Sequence, residues 1–282
     1  MSWVWLRDRL TGVLVQLLAT TVAIATLVPV YWIAATSIQP YGTFVTTKAQ
    51  FVPLNPTFQP YREVIFATRF LLWMRNSFLV TFPAIILTVT LAAPAAYALS
   101  RGKFRGKEML LGMILMIQFL PTLTTLMPLF LLFRELHLLN LGGLALLYIA
   151  LSLPFSIWNL KLYFDTVPLE IEENACIDGA STLQILRHIV LPLAAPALFA
   201  TCAFVFILCW SEYIVASIIL LDSRYYTVAV AFGSVASIWL QLAIPWPQFA
   251  AMAVMTSIPF VIVFILGQRY IQAGLMRGAL RG

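Results

Sequence analysis

Residues 168–198 read PLEIEENACIDGASTLQILRHIVLPLAAPAL. The first arm, Glu170 to Asp178, is built from helix formers and acids, and Gly179 stands where a helix stop belongs, because glycine reaches the left-handed conformation without steric penalty. Ser181, with Gln184 three residues later, is a capping-box signal, so a second helix is expected from there to Pro192. From Leu193 the chain turns apolar and stays so long enough to cross a bilayer. The stretch therefore predicts helix, sharp glycine turn, helix, and then a membrane span. An elbow of this kind, acidic on one arm and mostly apolar on the other, is shaped to be gripped by another protein.

Composition widens this to the whole chain. Of 282 residues, 62% are hydrophobic and 10% charged, with a mean hydropathy of +0.94. Soluble domains carry about a quarter charged residues, so a soluble fold, a disordered chain and a disulfide-rich secreted scaffold are all excluded. Cys176, Cys202 and Cys209 lack metal-ligand spacing and fall in or beside apolar stretches, as inert thiols do. Six runs are long enough to span: Leu10 to about Ile38, Ser77 to Leu99, Leu110 to Phe133, Leu141 to Leu160, Leu193 to Leu221 (interrupted by Glu212), and Phe249 to Leu266. The first is too long for a leader h-region and has no small-residue cleavage site, so it is expected to be a retained span.

Charge placement sets the orientation. Six spans put Arg7, Arg9, Arg101, Lys103, Arg105, Lys107, Lys161, Arg187, Arg269, Arg277 and Arg281 on one side and Lys48, Arg62, Arg69, Arg75, Arg134 and Arg224 on the other. Eleven against six predicts both termini in the cytoplasm and explains the net charge of +6 without nucleic acid. A seventh span at Thr227 to Ile244 would spoil the rule, so that stretch is expected to be re-entrant or amphipathic, covered by protein or lining a cavity. Prolines 83, 94, 121, 128, 154, 196 and 259 lie inside the spans and predict kinks.

Enzymatic motifs fail. Gly102-Lys103-Phe104-Arg105-Gly106-Lys107-Glu108 has three residues between its glycines where a phosphate loop has four, and a glutamate where the magnesium-binding hydroxyl belongs. His137 and His188 stand alone in loops on opposite sides, so neither a zinc site nor a histidine-based nucleophile can be assembled. Asp178-Gly179 lacks the further aspartates that a membrane phosphotransferase motif needs.

The spacing Glu173-x-Ala175, three residues, Gly179, nine residues, Ile189-x-Leu191-Pro192 resembles the EAA loop of permease subunits in binding-protein-dependent ABC importers. Asn174 replaces the central alanine, while Asp178 and Ala180 follow the pattern. Thr36 to Pro40, Pro60-Tyr61-Arg62, Asn76-Ser77 and Trp210-Ser211-Glu212-Tyr213 are similar to further segments of that family. The tail, Gln268-Arg269-Tyr270, Ala273-Gly274-Leu275 and Gly278 to Gly282, resembles the terminus of its MalG-like carbohydrate branch.

The resemblance implies an all-α polytopic fold of six transmembrane helices with a core bundle at about 70–268, an elbow at 164–192 between helices 4 and 5, and a cytoplasmic tail at 269–282. It implies a sugar importer subunit of a bacterial or archaeal plasma membrane, paired with a second, MalF-like permease, two copies of an ABC ATPase and an extracytoplasmic sugar-binding protein. ATP and magnesium would bind the ATPase, with no cofactor and no catalytic residue on this chain. Glu173, Ala175, Asp178, Gly179, Ala180, Ile189, Leu191 and Pro192 would meet the ATPase, and Gly274, Gly278 and Arg281 would reach it from the tail. Candidates for a sugar path are the amides Asn76, Gln118 and Asn159 and the acid Glu212, each of which also suits an interhelical hydrogen bond or, for Glu212, the outer headgroup belt beside Trp210 and Tyr213. A secondary transporter is the rival class; it calls for two related halves and coupling-ion acids, and the sequence has no convincing repeat and one intramembrane acid.

Overall fold

The computed structural model describes residues 2–40, 52–53, 55–119, 122–242 and 246–279. Among them every regular element is helical: α1 (Ser2–Ser37), α2 (Gln59–Ala67), α3 (Phe70–Arg101), α4 (Lys107–Met116), α5 (Thr122–Glu135), α6 (Leu141–Phe164), α7 (Leu169–Ile177), α8 (Thr182–Ile185), α9 (Leu191–Leu193), α10 (Ala195–Ser211), α11 (Ile214–Ile219), α12 (Val228–Leu242) and α13 (Trp246–Ala279). Backbone that must satisfy its own hydrogen bonds in lipid has the helix as its natural solution. Four helical stretches, Thr11–Ser37, Phe70–Arg101, Leu141–Phe164 and Trp246–Gln268, are each long and apolar enough to cross a membrane. The pair Thr182–Leu193 and Ala195–Ser211, bent by 81°, adds a fifth if it forms one span. Side chains such as Leu14, Leu18, Leu91 and Phe264 are more than half exposed. Water would not tolerate so continuous an apolar surface, so these side chains face lipid, and the chain is a multi-pass membrane protein.

Two expected spans are broken. Leu110 to Phe133 is α4 and α5, separated by a 3₁₀ turn at Ile117–Phe119. Pro121 follows that turn in the sequence, and a proline supplies no donor to the turn before it. The run Leu193 to Leu221 ends as a helix at Ser211, where Glu212 turns extended (ψ 121°), and restarts as the short α11. Glu212 is thus at a helix end rather than within a helix. Thr227 to Ile244 contains α12, whose 15 residues fall short of the roughly 20 that a crossing needs; residues 243–245 lie outside the described residues.

The chain divides into two compact units, Met1–Phe70 with Val235–Ile258 and Leu71–Ser234 with Pro259–Gly282. In the first, Ser37 Oγ lies 2.7 Å from the Tyr61 hydroxyl, tying the end of α1 to α2, and Gln248 donates to Glu63. The second holds two apolar clusters. One gathers Val80 and Ala84 of α3, Leu144, Ala145, Leu147, Tyr148 and Ile149 of α6, Val205 and Cys209 of α10, and Val215, Ala216 and Ile219 of α11. The other brings Ala92, Ala93 and Ala96 of α3 and Leu160 and Phe164 of α6 against Ile185, Leu186, Val190, Ala194 and Ala197. The three alanines let helical backbones approach closely, which is how apolar helices associate without a hydrophobic drive in lipid.

The turn before α6 is equally specific. Asn140 caps the helix through Oδ1, accepting from Gly143 N–H at 3.0 Å. A Cβ on Gly143 would lie 1.9 Å from the Leu138 carbonyl oxygen, a backbone atom that cannot step aside. Gly143→Ala is therefore expected to lower stability by about 1–3 kcal/mol, the usual cost of overpacking, measured as an earlier thermal unfolding in detergent. An unchanged melting temperature would contradict that close approach.

Candidate functional site

The first arm of the elbow, its glycine apex and the capping box fold as the sequence predicts. Pro168 precedes α7, whose first turn carries Glu170 and Glu172 where the helix dipole favours acids. Gly179 sits at φ +85°; its N–H donates to the Cys176 carbonyl and the Ala180 N–H to the Ala175 carbonyl, both at 3.0 Å. That paired closure is a Schellman turn, and it requires the left-handed glycine. Ser181 and Gln184 form the capping box, with the Ser181 N–H donating to Gln184 Oε1 at 2.8 Å. The second arm differs from expectation: α8 gives way to a π turn over Leu186–Val190 before α9 and the 81° bend into α10. Pro192 brings no N–H to this region, and the Leu191 N–H bonds five residues back, to Leu186.

The predicted coupling residues separate by face. Glu173, Asp178, Gly179 and Pro192 are exposed; Ala175, Ala180 and Leu191 pack against the second apolar cluster, and Ile189 is half-buried. A shallow depression of about 340 Å³ is lined by Asp178, Gly179, Ala180, Gln184, His188 and Ile189. Flanking it on the same loop, Ile177 is 82% exposed and Leu183 71% exposed. Acids and large apolar side chains thus share one outward surface around the glycine apex.

One part of the site escaped the sequence reading. Glu172 is buried and its carboxylate is filled on both oxygens: Arg101 Nε and Nη2 donate to Oε1 at 2.9 and 2.6 Å, and the Tyr97 hydroxyl donates to Oε2 at 2.8 Å. Arg101 also gives Nη2–H to the Val167 carbonyl (3.0 Å) and Nη1–H to Ser100 Oγ (3.0 Å). Ser100 in turn donates to Asp165 Oδ1 at 2.6 Å, while Lys161 binds Oδ2 at 2.7 Å. Burial alone would raise the Asp165 carboxyl, but the bonds from Lys161 and Ser100 outweigh it and hold the group below its usual range. Removing one partner of a buried ion pair costs about 3–5 kcal/mol because the other charge is stranded. A signal for Glu172 did exist: it lies three residues before the inward-facing Ala175 and so shares its helical face, whereas Glu173 is rotated outward.

The candidate path residues are not brought together as one lining. Asn76 donates to the Arg224 and Tyr226 carbonyls (2.9 and 3.0 Å), pinning the loop before α12 together with Trp73 and Ser77. Asn159 donates to Thr201 Oγ1 at 3.0 Å, joining α6 to α10. Gln118 is exposed in the 3₁₀ turn. Glu212 accepts from the Val215 and Ala216 N–H groups (2.8 and 2.9 Å) and from the Tyr148 hydroxyl (3.1 Å), so it serves the first turn of α11 and a buried phenol. Gly274 and Gly278 fall on α13, and Arg281 lies outside the described residues.

Comparison with known proteins adds an independent line. Residues 88–277 match the family model described as the binding-protein-dependent transport system inner membrane component. The trehalose/maltose transport system permease protein MalG of Thermococcus litoralis is 33% identical over 278 residues, covering 98% of this chain and 99% of that protein. The trehalose transport system permease protein SugB of Mycobacterium tuberculosis is 34% identical, covering 91% of this chain and 93% of that protein. A chain of a bacterial ABC transporter involved in importing the acidic polysaccharide alginate superposes with a TM-score of 0.79 at 27% identity, covering 94% of this chain and 97% of that one. An elbow of the EAA spacing, built on a multi-pass helical chain that matches this family along most of its length, leads to one assignment: the protein belongs to the inner-membrane components of binding-protein-dependent transport systems, the permease subunits of ABC importers.

Proposed function

We propose that this permease forms half of the translocation path of an importer for a sugar or sugar derivative, in a bacterial or archaeal plasma membrane. Six spans place both termini in the cytoplasm, with α4 and α5 together making the third. A second, MalF-like permease completes the path, an extracytoplasmic binding protein delivers the sugar, and two copies of an ABC ATPase hold the ATP and magnesium. The carrying observation is the elbow: a left-handed glycine apex with Glu173, Asp178, Ile177 and Leu183 exposed around it, while Ala175, Ala180 and Leu191 anchor it inward. Such a surface suits a cleft on the ATPase, whose closure would turn the membrane helices between inward and outward access. Gly274, Gly278 and Arg281 extend the contact from the tail, and Asn76, Gln118, Asn159 and Glu212 border the path. The sugar class follows from the relatives named for trehalose and maltose transport.

Mild-detergent purification followed by reconstitution with the binding protein tests this. An ATPase is expected to co-purify, and labelled maltose or trehalose to enter vesicles only with ATP inside the ATPase compartment. Uptake without ATP, by a chain that never retains an ATPase, would overturn the proposal.

A further inference from the structure

We propose that Arg101, Glu172 and Tyr97 form the joint that carries motion of the elbow into helix α3, acting as positioning residues for transport. The inference rests on the elbow being the ATPase-docking element. Seventy residues of chain separate Arg101 from Glu172, so the backbone does not link α3 directly to α7. Two kinds of contact do. The alanines of α3 meet Leu186 and Val190 of the second arm, an apolar contact with no preferred direction that allows sliding. The first arm is held by directional bonds: both carboxylate oxygens of Glu172 are occupied from α3, and Arg101 also holds the Val167 carbonyl just before α7. Tyr97 and Arg101 are one helical turn apart on one face of α3. Gripping one face at two levels fixes the rotation of a helix about its own axis, which the apolar contact cannot do. Neither Arg101 nor Glu172 lies on the exposed surface around Gly179, with side-chain exposures of 15% and 7%. The joint therefore stands behind the docking surface and not within it.

The test uses the complete importer in proteoliposomes. Variants are Glu172→Gln, Arg101→Met, Tyr97→Phe and the exchange Arg101→Glu with Glu172→Arg. Nitroxide labels on the exposed Cys176 and on an Ala98→Cys substitution, with Cys202 and Cys209 replaced by alanine, report the distance between α7 and α3. The two charge variants are expected to keep their ATPase, to broaden the label distance distribution, and to lower sugar moved per ATP by roughly tenfold, within the range usual for coupled sites. The exchange is expected to recover part of both readouts, which a purely structural loss would not show. A narrow distribution and an unchanged sugar-to-ATP ratio in Glu172→Gln would overturn the joint. Tyr97→Phe removes one hydroxyl and retains the ion pair, so it remains informative where the charge variants fail to assemble; unchanged values of both readouts in it would also overturn the joint. Absence of ATPase from the unmutated importer would instead overturn the docking reading, with the distance measurement still judging the joint.

Discussion

Gly179→Val is expected to abolish sugar uptake while leaving the chain in the membrane at its normal level. At φ +85° the residue occupies the left-handed region, which costs an ordinary L-residue roughly 1–2 kcal/mol and is a genuine outlier for a β-branched one. The strain is relieved by opening the Schellman turn, and that turn sets the angle between α7 and α8. Packing gives a second reason to expect a local effect. A Cβ at Gly179 would meet nothing within 4 Å in this chain, so no core is disturbed and the membrane helices have no cause to unfold. The added side chain projects beside the depression where the ATPase is proposed to dock. Gly179→Asn separates the two causes, because asparagine tolerates the left-handed region; it is expected to retain the turn and a measurable part of the uptake. Glu173→Lys should abolish uptake as well, since it reverses an exposed charge on the same surface. Normal uptake in both Gly179→Val and Glu173→Lys, at parental membrane levels, would sink the coupling role of the elbow.

The second large effect concerns Glu212. Its carboxylate serves the Val215 and Ala216 N–H groups and the hydroxyl of Tyr148, a residue with no exposed surface. Glu212→Ala strands that phenol and removes the acceptor at the start of α11, at an expected cost of about 2–4 kcal/mol. Thermal unfolding in detergent should show the loss directly. Glu212→Gln keeps one acceptor oxygen, which can serve Ala216 and Tyr148 while the bond from Val215 is lost, so it should cost less than the alanine variant, with uptake close to normal. If Glu212→Gln melts like the parent yet transports nothing, its charge matters to the sugar path, and the capping account is insufficient.

Legibility differed from element to element for physical reasons. The elbow was readable because every signal in it is local: a helix stop acts through the backbone of one residue and a capping box through residues three apart, so sequence spacing alone specifies them. The broken third span was not, since hydropathy measures composition and is blind to where the backbone bends. Pro121 and Pro196 both lie in apolar runs; a 3₁₀ break precedes the first, and the helix that carries the second runs on to Ser211. Among the acids of the first arm, spacing drew attention to Glu173, while the buried member is Glu172, one position earlier and turned about 100° around the helix toward the core.

By itself the sequence determined the class of the protein, the helical nature of its spans, the elbow and its glycine apex, because these follow from solvent preference and from short-range backbone chemistry. Tertiary structure alone decided which charge is gripped and which is offered outward. Arg101 and Glu172 lie 71 residues apart, and they meet because the later part of α3 and Ala175 of α7 pack beside the same apolar cluster. The same holds for Glu212, whose role depends on Tyr148, 64 residues away. Partners at such separations leave no spacing in the chain to read, and only packing brings them within bonding distance.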